Sequence, residues 1–153
     1  MTRLERLEDV AHENRIFLRE DEYDTQEKGG SFKIEGRTGV LLNTAQIDGE
    51  REKTSVLALE ISHIKNGALP NVDCYANPSF HAWALEQNKR RAKADVIEEY
   101  LSFEIIQDAL SNKYPSNRWE LADILEAMIE DLDEAFEFHR RKGRTFKFQE
   151  CWE

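Results

Sequence analysis

Glycine, proline and cysteine are scarce: seven, three and two among 153 residues. The chain has neither a GxGxxG turn nor a P-loop, so the backbone cradles that hold nucleotide phosphates are missing. It also has no GxSxG elbow for a serine nucleophile and no CxxC pair for dithiol chemistry. No apolar run approaches the roughly 20 residues that span a bilayer, and none at the N-terminus reads as a signal peptide. A cytoplasmic protein with Cys74 and Cys151 reduced is therefore expected, while a disulfide between them stays open from sequence. Basic charge is short too: 21 Lys and Arg face 31 Asp and Glu, a net charge of −10. Direct binding to nucleic acid or to an anionic membrane is not expected, because both need clustered cations; basic partners are favoured.

What is present suffices for a core. Hydrophobic residues make up 40% and aromatics 10%, against 34% charged, and a chain of this length buries roughly two-thirds of its unfolded surface. One domain over 1–153 is expected, with a helical C-terminal part at 117–142 and a short tail at 143–153. Leu4, Leu7, Val10 and Ala11 recur at helical spacing after a capping Thr2, which predicts a helix from Met1 to about Asn14. Ile16, Phe17 and Leu18 make a short strand. The polar stretch holding Glu20, Asp21, Glu22, Asp24, Gly29 and Gly30 reads as loop. Phe32 and Ile34, punctuation at Gly36 and the run Val40, Leu41, Leu42 predict a hairpin.

A helix then begins near Asp48 to Glu50 and runs to about Lys65, ended by Gly67. Pro70 and Pro78 make 67–79 a loop. A long helix opens at Phe80 and passes Trp83, Ala94 and Ile97 to Leu101, and Ser102 caps the next, which holds Ile105, Ile106 and Leu110. One apolar stripe runs from Trp119 to Phe136 with no Gly or Pro between 117 and 142, which favours one continuous helix over a pair. Acidic residues from Glu126 to Glu137 followed by Arg140, Arg141, Lys142, Arg144 and Lys147 suit a solvated helix with cations at its C-terminal end. Phe146, Phe148 and Trp152 in the tail predict an edge strand or a cover for an apolar patch. Trp83, Trp119 and Trp152 are expected in the core, His12 and His139 on solvated faces, and His81 at the surface or in packing.

The chemistry-bearing run is Leu59, Glu60, Ile61, Ser62, His63. In HExxH two His four apart on one helical face grip zinc, and the Glu beside the first polarises the bound water. Here Leu59 stands at the first ligand position and cannot ligate; Glu60 keeps the general-base position and His63 that of the second ligand.

The order of a small sheet, then Thr44 to Ser55, then an apolar helix with Leu57, Ala58, Leu59, Glu60 and His63 resembles the ImmA/IrrE metallopeptidase family. The stretch 89–102, and Trp119 to Leu125 followed by Asp133 to Phe136, resemble the second helix and helical ending of phage-type members. The resemblance covers about residues 1–142. It implies an α+β, mainly helical, zincin-like fold with a small antiparallel sheet. It also implies a third, acidic ligand near the start of the second helix, where this chain has Lys89.

With two of three ligand positions changed, the expectation is a metallopeptidase-like protein that no longer cuts. It would bind a protein partner, a repressor-type regulator or a host protein, and need no cofactor. The enzymatic alternative keeps Glu60 and His63 in a zinc site completed by groups such as Cys74, His81, Asp95, Glu98 or Glu99. A third reading is an acidic inhibitor whose 126–137 stretch blocks a nucleic-acid-binding host protein. Lys89, Arg90, Arg91 and Lys93 read as a solvated basic face, or as a site for an anion or acidic partner.

Overall fold

The computed structural model of the chain describes residues 1–66 and 78–153, with side-chain surroundings for all of these except Ile34 and 78–85. The described chain is α+β and mainly helical. In chain order the elements are α1 (Arg3–Glu13), β1 (Ile16–Asp21), β2 (Gly29–Ile34), β3 (Arg37–Asn43), α2 (Gly49–Lys65), α3 (Pro78–Tyr100), α4 (Phe103–Asn112), α5 (Arg118–Leu125) and α6 (Ile129–Arg141). They fall into two compact units, Met1–Lys93 and Ala94–Glu153. No helix among the described residues is long and apolar enough to cross a membrane. The predicted loop at 67–79 and the stop at Gly67 fall largely outside the described residues.

In the first unit, α1 starts as expected at Thr2. The Thr2 hydroxyl accepts from the Glu5 N–H at 3.2 Å, and Glu5 Oε2 accepts from the Thr2 N–H at 2.7 Å. Such a reciprocal box satisfies two amides that a helix start leaves without partners. Leu7 and Ala11 turn inward, and α1 packs on β1 and α2 while α2 packs on β2 and β3. Val40, Leu42, Leu57, Ala58 and Ile61 complete this interior, each branched side chain contributing about 1.5–3 kcal/mol through burial.

The sheet differs from the expected antiparallel one. Its order is β1-β3-β2, with β2 antiparallel to β3 but β1 parallel to it. The hairpin half follows from the turn: Glu35 and Gly36 both have positive φ, 50° and 78°, as a two-residue I′ turn requires. The parallel half follows from Asn43. Its amide nitrogen donates to the carbonyls of Tyr23, Thr25 and Glu27 at 2.9–3.2 Å, and its oxygen accepts from the Tyr23 N–H at 3.0 Å. This buried side chain folds 22–28 around the end of β3, carrying the chain from β1 to the far side of the sheet. Glu20 and Asp21 accordingly belong to β1, and Gly29 and Gly30 to β2, where a loop was predicted.

The second unit is built on Ile97, Leu101, Ile106, Leu110, Leu121 and Leu132, with Ala109, Ala122, Ala127 and Ala135 between them. Ser102 caps α4 as predicted, accepting from the Ile105 N–H at 3.2 Å. For 117–142, where the sequence fits one helix or a pair and favours continuity, the pair forms as α5 and α6. Glu126 takes the left-handed conformation (φ 53°, ψ 37°), and the Ala127 N–H closes on the Ala122 carbonyl at 2.9 Å. A straight helix of that span would be about 39 Å long. The bend lets Leu121 and Leu132 enter one core.

The tail covers that core without forming a strand. Phe146 stacks on Phe103 at 4.7 Å and meets Phe136 edge-on at 5.3 Å. Gln107 exchanges two hydrogen bonds with the Lys147 backbone, at 2.8 and 3.0 Å. Two expected placements are corrected. His139 is fully buried, because its Nε2 donates to the Leu101 carbonyl at 2.8 Å while Nδ1 accepts from Arg144 at 2.9 Å. Trp119 is 59% exposed, lying beneath the Arg118 guanidinium at 4.4 Å, a cation–π contact that needs no core.

Candidate functional site

Helix α2 presents Leu59, Glu60 and His63 to a cleft. A cavity of about 900 Å³ in the first unit is walled by Glu27 to Ser31, by Ser55, Val56, Leu59, Glu60 and His63 of α2, and by Asn88, Lys89 and Lys93 of α3. Four of the residues singled out in sequence, Leu59, Glu60, His63 and Lys89, thus meet at one place. The side chains of His81 and Cys74 lie outside the described residues. Glu98, another candidate ligand, accepts from Arg144 at 2.9 Å in the second unit.

Periodicity explains the first part of this geometry: 56, 59, 60 and 63 share one face of a 3.6-residue helix. Two polar residues that sequence reasoning passed over supply the rest. The buried Ser62 hydroxyl donates to the Ala92 carbonyl at 3.2 Å, which ties α2 to α3. Lys89 and Lys93, four apart and on one face, thereby come to line the cleft. Asn43 holds the opposite wall through the Glu27 carbonyl, while its own N–H donates to the carbonyl of Lys28 at 2.8 Å. Gly29 allows that wall to press on α2. A Cβ there would lie 2.7 Å from Val56 Cγ1 and 3.1 Å from the Leu41 carbonyl oxygen. An Asn before a turn and a Gly opening a strand were the available signals for this wall, and both read equally well as loop punctuation.

Glu60 and His63 are close but not hydrogen-bonded: Oε2 and Nδ1 stand 3.7 Å apart. Burial pushes the Glu60 carboxyl above its usual range; a hydrogen bond from Ser31 opposes that, Glu27 adds to it and Lys89 opposes it. Burial, and then the Lys89 ammonium, hold the His63 imidazole below its usual range. Both shifts disfavour the charged forms, which weakens any ion pairing between the two. His63 Nε2 is buried and has no hydrogen-bond partner among the described residues.

Leu59 offers no lone pair, and Lys89 and Lys93 line the same cleft as Glu60 and His63. On the second unit, the acidic face is partly neutralised from within. Asp133 pairs with Arg118 at 2.6 Å, and Arg140 and Arg141 pull the Glu137 carboxyl down to about 2. Comparisons with protein-family models, with curated proteins and with solved structures return no match.

Proposed function

We propose that this chain is a metallopeptidase-like binding protein whose α2 cleft holds a segment of a protein partner without cutting it. The observation that carries the reading is the meeting of Leu59, Glu60, His63 and Lys89 in one cleft. The helix face, the general-base carboxylate and one imidazole of a peptidase site are kept. The other two ligand positions are filled by a side chain that cannot ligate and by one that repels cations. A cleft of this size suits a few residues of an extended segment. The partner is a regulatory or host protein on the likeness to the ImmA/IrrE family, whose members cleave repressor-type regulators.

Elemental analysis of the purified protein, with peptide hydrolysis assayed beside it, tests this. The expected result is less than stoichiometric zinc, no change in metal content in His63→Ala, and no cleavage. Stoichiometric zinc that disappears in His63→Ala, together with hydrolysis that Glu60→Gln abolishes, would overturn the proposal in favour of an active peptidase.

A further inference from the structure

We propose that the first unit carries a second site, for a nucleoside monophosphate, at the end of the sheet where α1 turns into β1. A cavity of about 630 Å³ there is lined by His12, Asn14, Arg15, Phe17, Arg37 and Thr38 among others, and shares no residue with the α2 cleft. Its volume lies within the range of small-molecule sites. The chain's net charge is −10, yet among the described residues no carboxylate is in this lining; Glu13 and Glu35, the nearest acids along the chain, lie outside it. Ile16 pairs with Thr38, so Arg15 and Arg37, each one residue earlier, stand at the same end of the parallel β1–β3 pair. Both are exposed, and neither guanidinium has an ion pair or a hydrogen bond among the described residues. Like charges side by side on neighbouring strands repel, and an anion between them relieves that repulsion.

The backbone bears on the same point. Arg15 closes the turn from α1 into β1 with a φ of 56°, a conformation that glycine adopts without strain and arginine does not. Local structure alone favours glycine or asparagine there, and the guanidinium stands against that preference. The negative end of α1 is capped as it reaches the cavity: Asn14 Nδ2 donates to the Val10 carbonyl at 2.7 Å, and the Arg15 N–H to the His12 carbonyl at 3.1 Å. Phe17 is 63% exposed and offers an aromatic face on which a planar base stacks. Asn14 Oδ1 and the Thr38 hydroxyl, which no described residue engages, suit the hydroxyls of a sugar. Two guanidiniums match the two charges of a phosphate monoester, whereas a polynucleotide would carry further phosphates onto the acidic surface around the site. A phosphotyrosine supplies a ring and a phosphate but no hydroxyls for Asn14 and Thr38.

Calorimetric titration of the intact protein with adenosine 5′-monophosphate tests this, since stacking accepts any base; adenosine, inorganic phosphate, phosphotyrosine and a short oligodeoxyadenylate are the comparisons. Adenosine should bind at least about tenfold more weakly than the monophosphate, the loss of a charge-assisted hydrogen bond, and inorganic phosphate likewise, the loss of stacking. Arg37→Ala and Phe17→Ala should each cost about tenfold in affinity for the monophosphate. Arg15→Gly should cost as much while raising the thermal midpoint, so that lost binding there is not lost folding. Arg19→Ala removes an exposed cation of the same strand from outside the lining and should change the affinity less than about twofold. Circular dichroism checks the other variants, and Arg37→Gln serves if Arg37→Ala unfolds. No saturable binding of the monophosphate, adenosine or inorganic phosphate binding as tightly as it does, indifference to Arg15 and Arg37, or an equal loss in Arg19→Ala overturns the site. Tighter binding of the oligonucleotide makes this a nucleic-acid surface, and tighter binding of phosphotyrosine a protein-segment site; either overturns the nucleotide assignment.

Discussion

His139 has both ring nitrogens committed, Nε2 to the Leu101 carbonyl and Nδ1 to Arg144, whose guanidinium also reaches Glu98. Phe103, Phe138 and Phe146 surround the ring at 5.3–6.2 Å, all edge-on. Replacing it with Ala leaves the Leu101 carbonyl without its donor and opens a cavity, so His139→Ala should cost about 3 kcal/mol in denaturant unfolding, and His139→Gln distinctly less. Glu60 carries a pH prediction. Its folded pKa is raised above the ordinary 4.5, so the folded state binds the extra proton. The contribution to stability is full below 4.5 and is lost as pH rises through the folded value. Glu60→Gln should therefore stabilise the protein near neutral pH, with the gain fading in unfolding curves taken below pH 4.5. His63 has the opposite sign: its lowered pKa gives stability that is present above 6.5 and is lost as pH falls.

At the scale of elements, two joints decide the fold. Asn43 makes the crossover that turns a hairpin into a mixed sheet, and no apolar contact replaces its hydrogen bonds. Asn43→Ala should cost about 2–4 kcal/mol and speed amide exchange at Tyr23 and at Asn43 itself, whose partners lie in the crossover. Glu126 ends α5 in the left-handed region, where only glycine is unstrained. Glu126→Gly should stabilise by about 0.5–1 kcal/mol in thermal unfolding, and a β-branched residue there should destabilise by at least as much. A gain from Glu126→Ala larger than from glycine would contradict the bend, since it would indicate a helix running through.

For the whole molecule, charge is the governing quantity. With a net −10 spread over 153 residues, self-repulsion outweighs the exposed ion pairs, which contribute little each. Raising salt from 0.05 to 0.5 M should therefore raise the unfolding midpoint, by roughly 2–4 °C for each kcal/mol of repulsion relieved. A midpoint that falls with salt would show that ion pairs such as Arg118–Asp133 and Glu137–Arg140 dominate.

Sequence alone determined most of the helices, because periodicity and caps are local: Thr2, Ser102 and the apolar faces of α1, α2 and α4 appear where their spacing put them. It also determined the motif face of α2, since residues 56, 59, 60 and 63 must share one side of any helix. The sheet's mixed direction, the bend at Glu126, the burial of His139 and the exposure of Trp119 were decided only in the tertiary structure. The mixed sheet and the buried imidazole each depend on a partner far along the chain, Tyr23 for Asn43 and Leu101 for His139, and hydrophobic spacing carries no record of which polar groups will meet. The cleft divides in the same way. One helix face was legible, but its lysine-lined wall exists because Ser62 reaches Ala92, and its opposite wall because Asn43 holds the crossover and Gly29 lets the strand close on Val56.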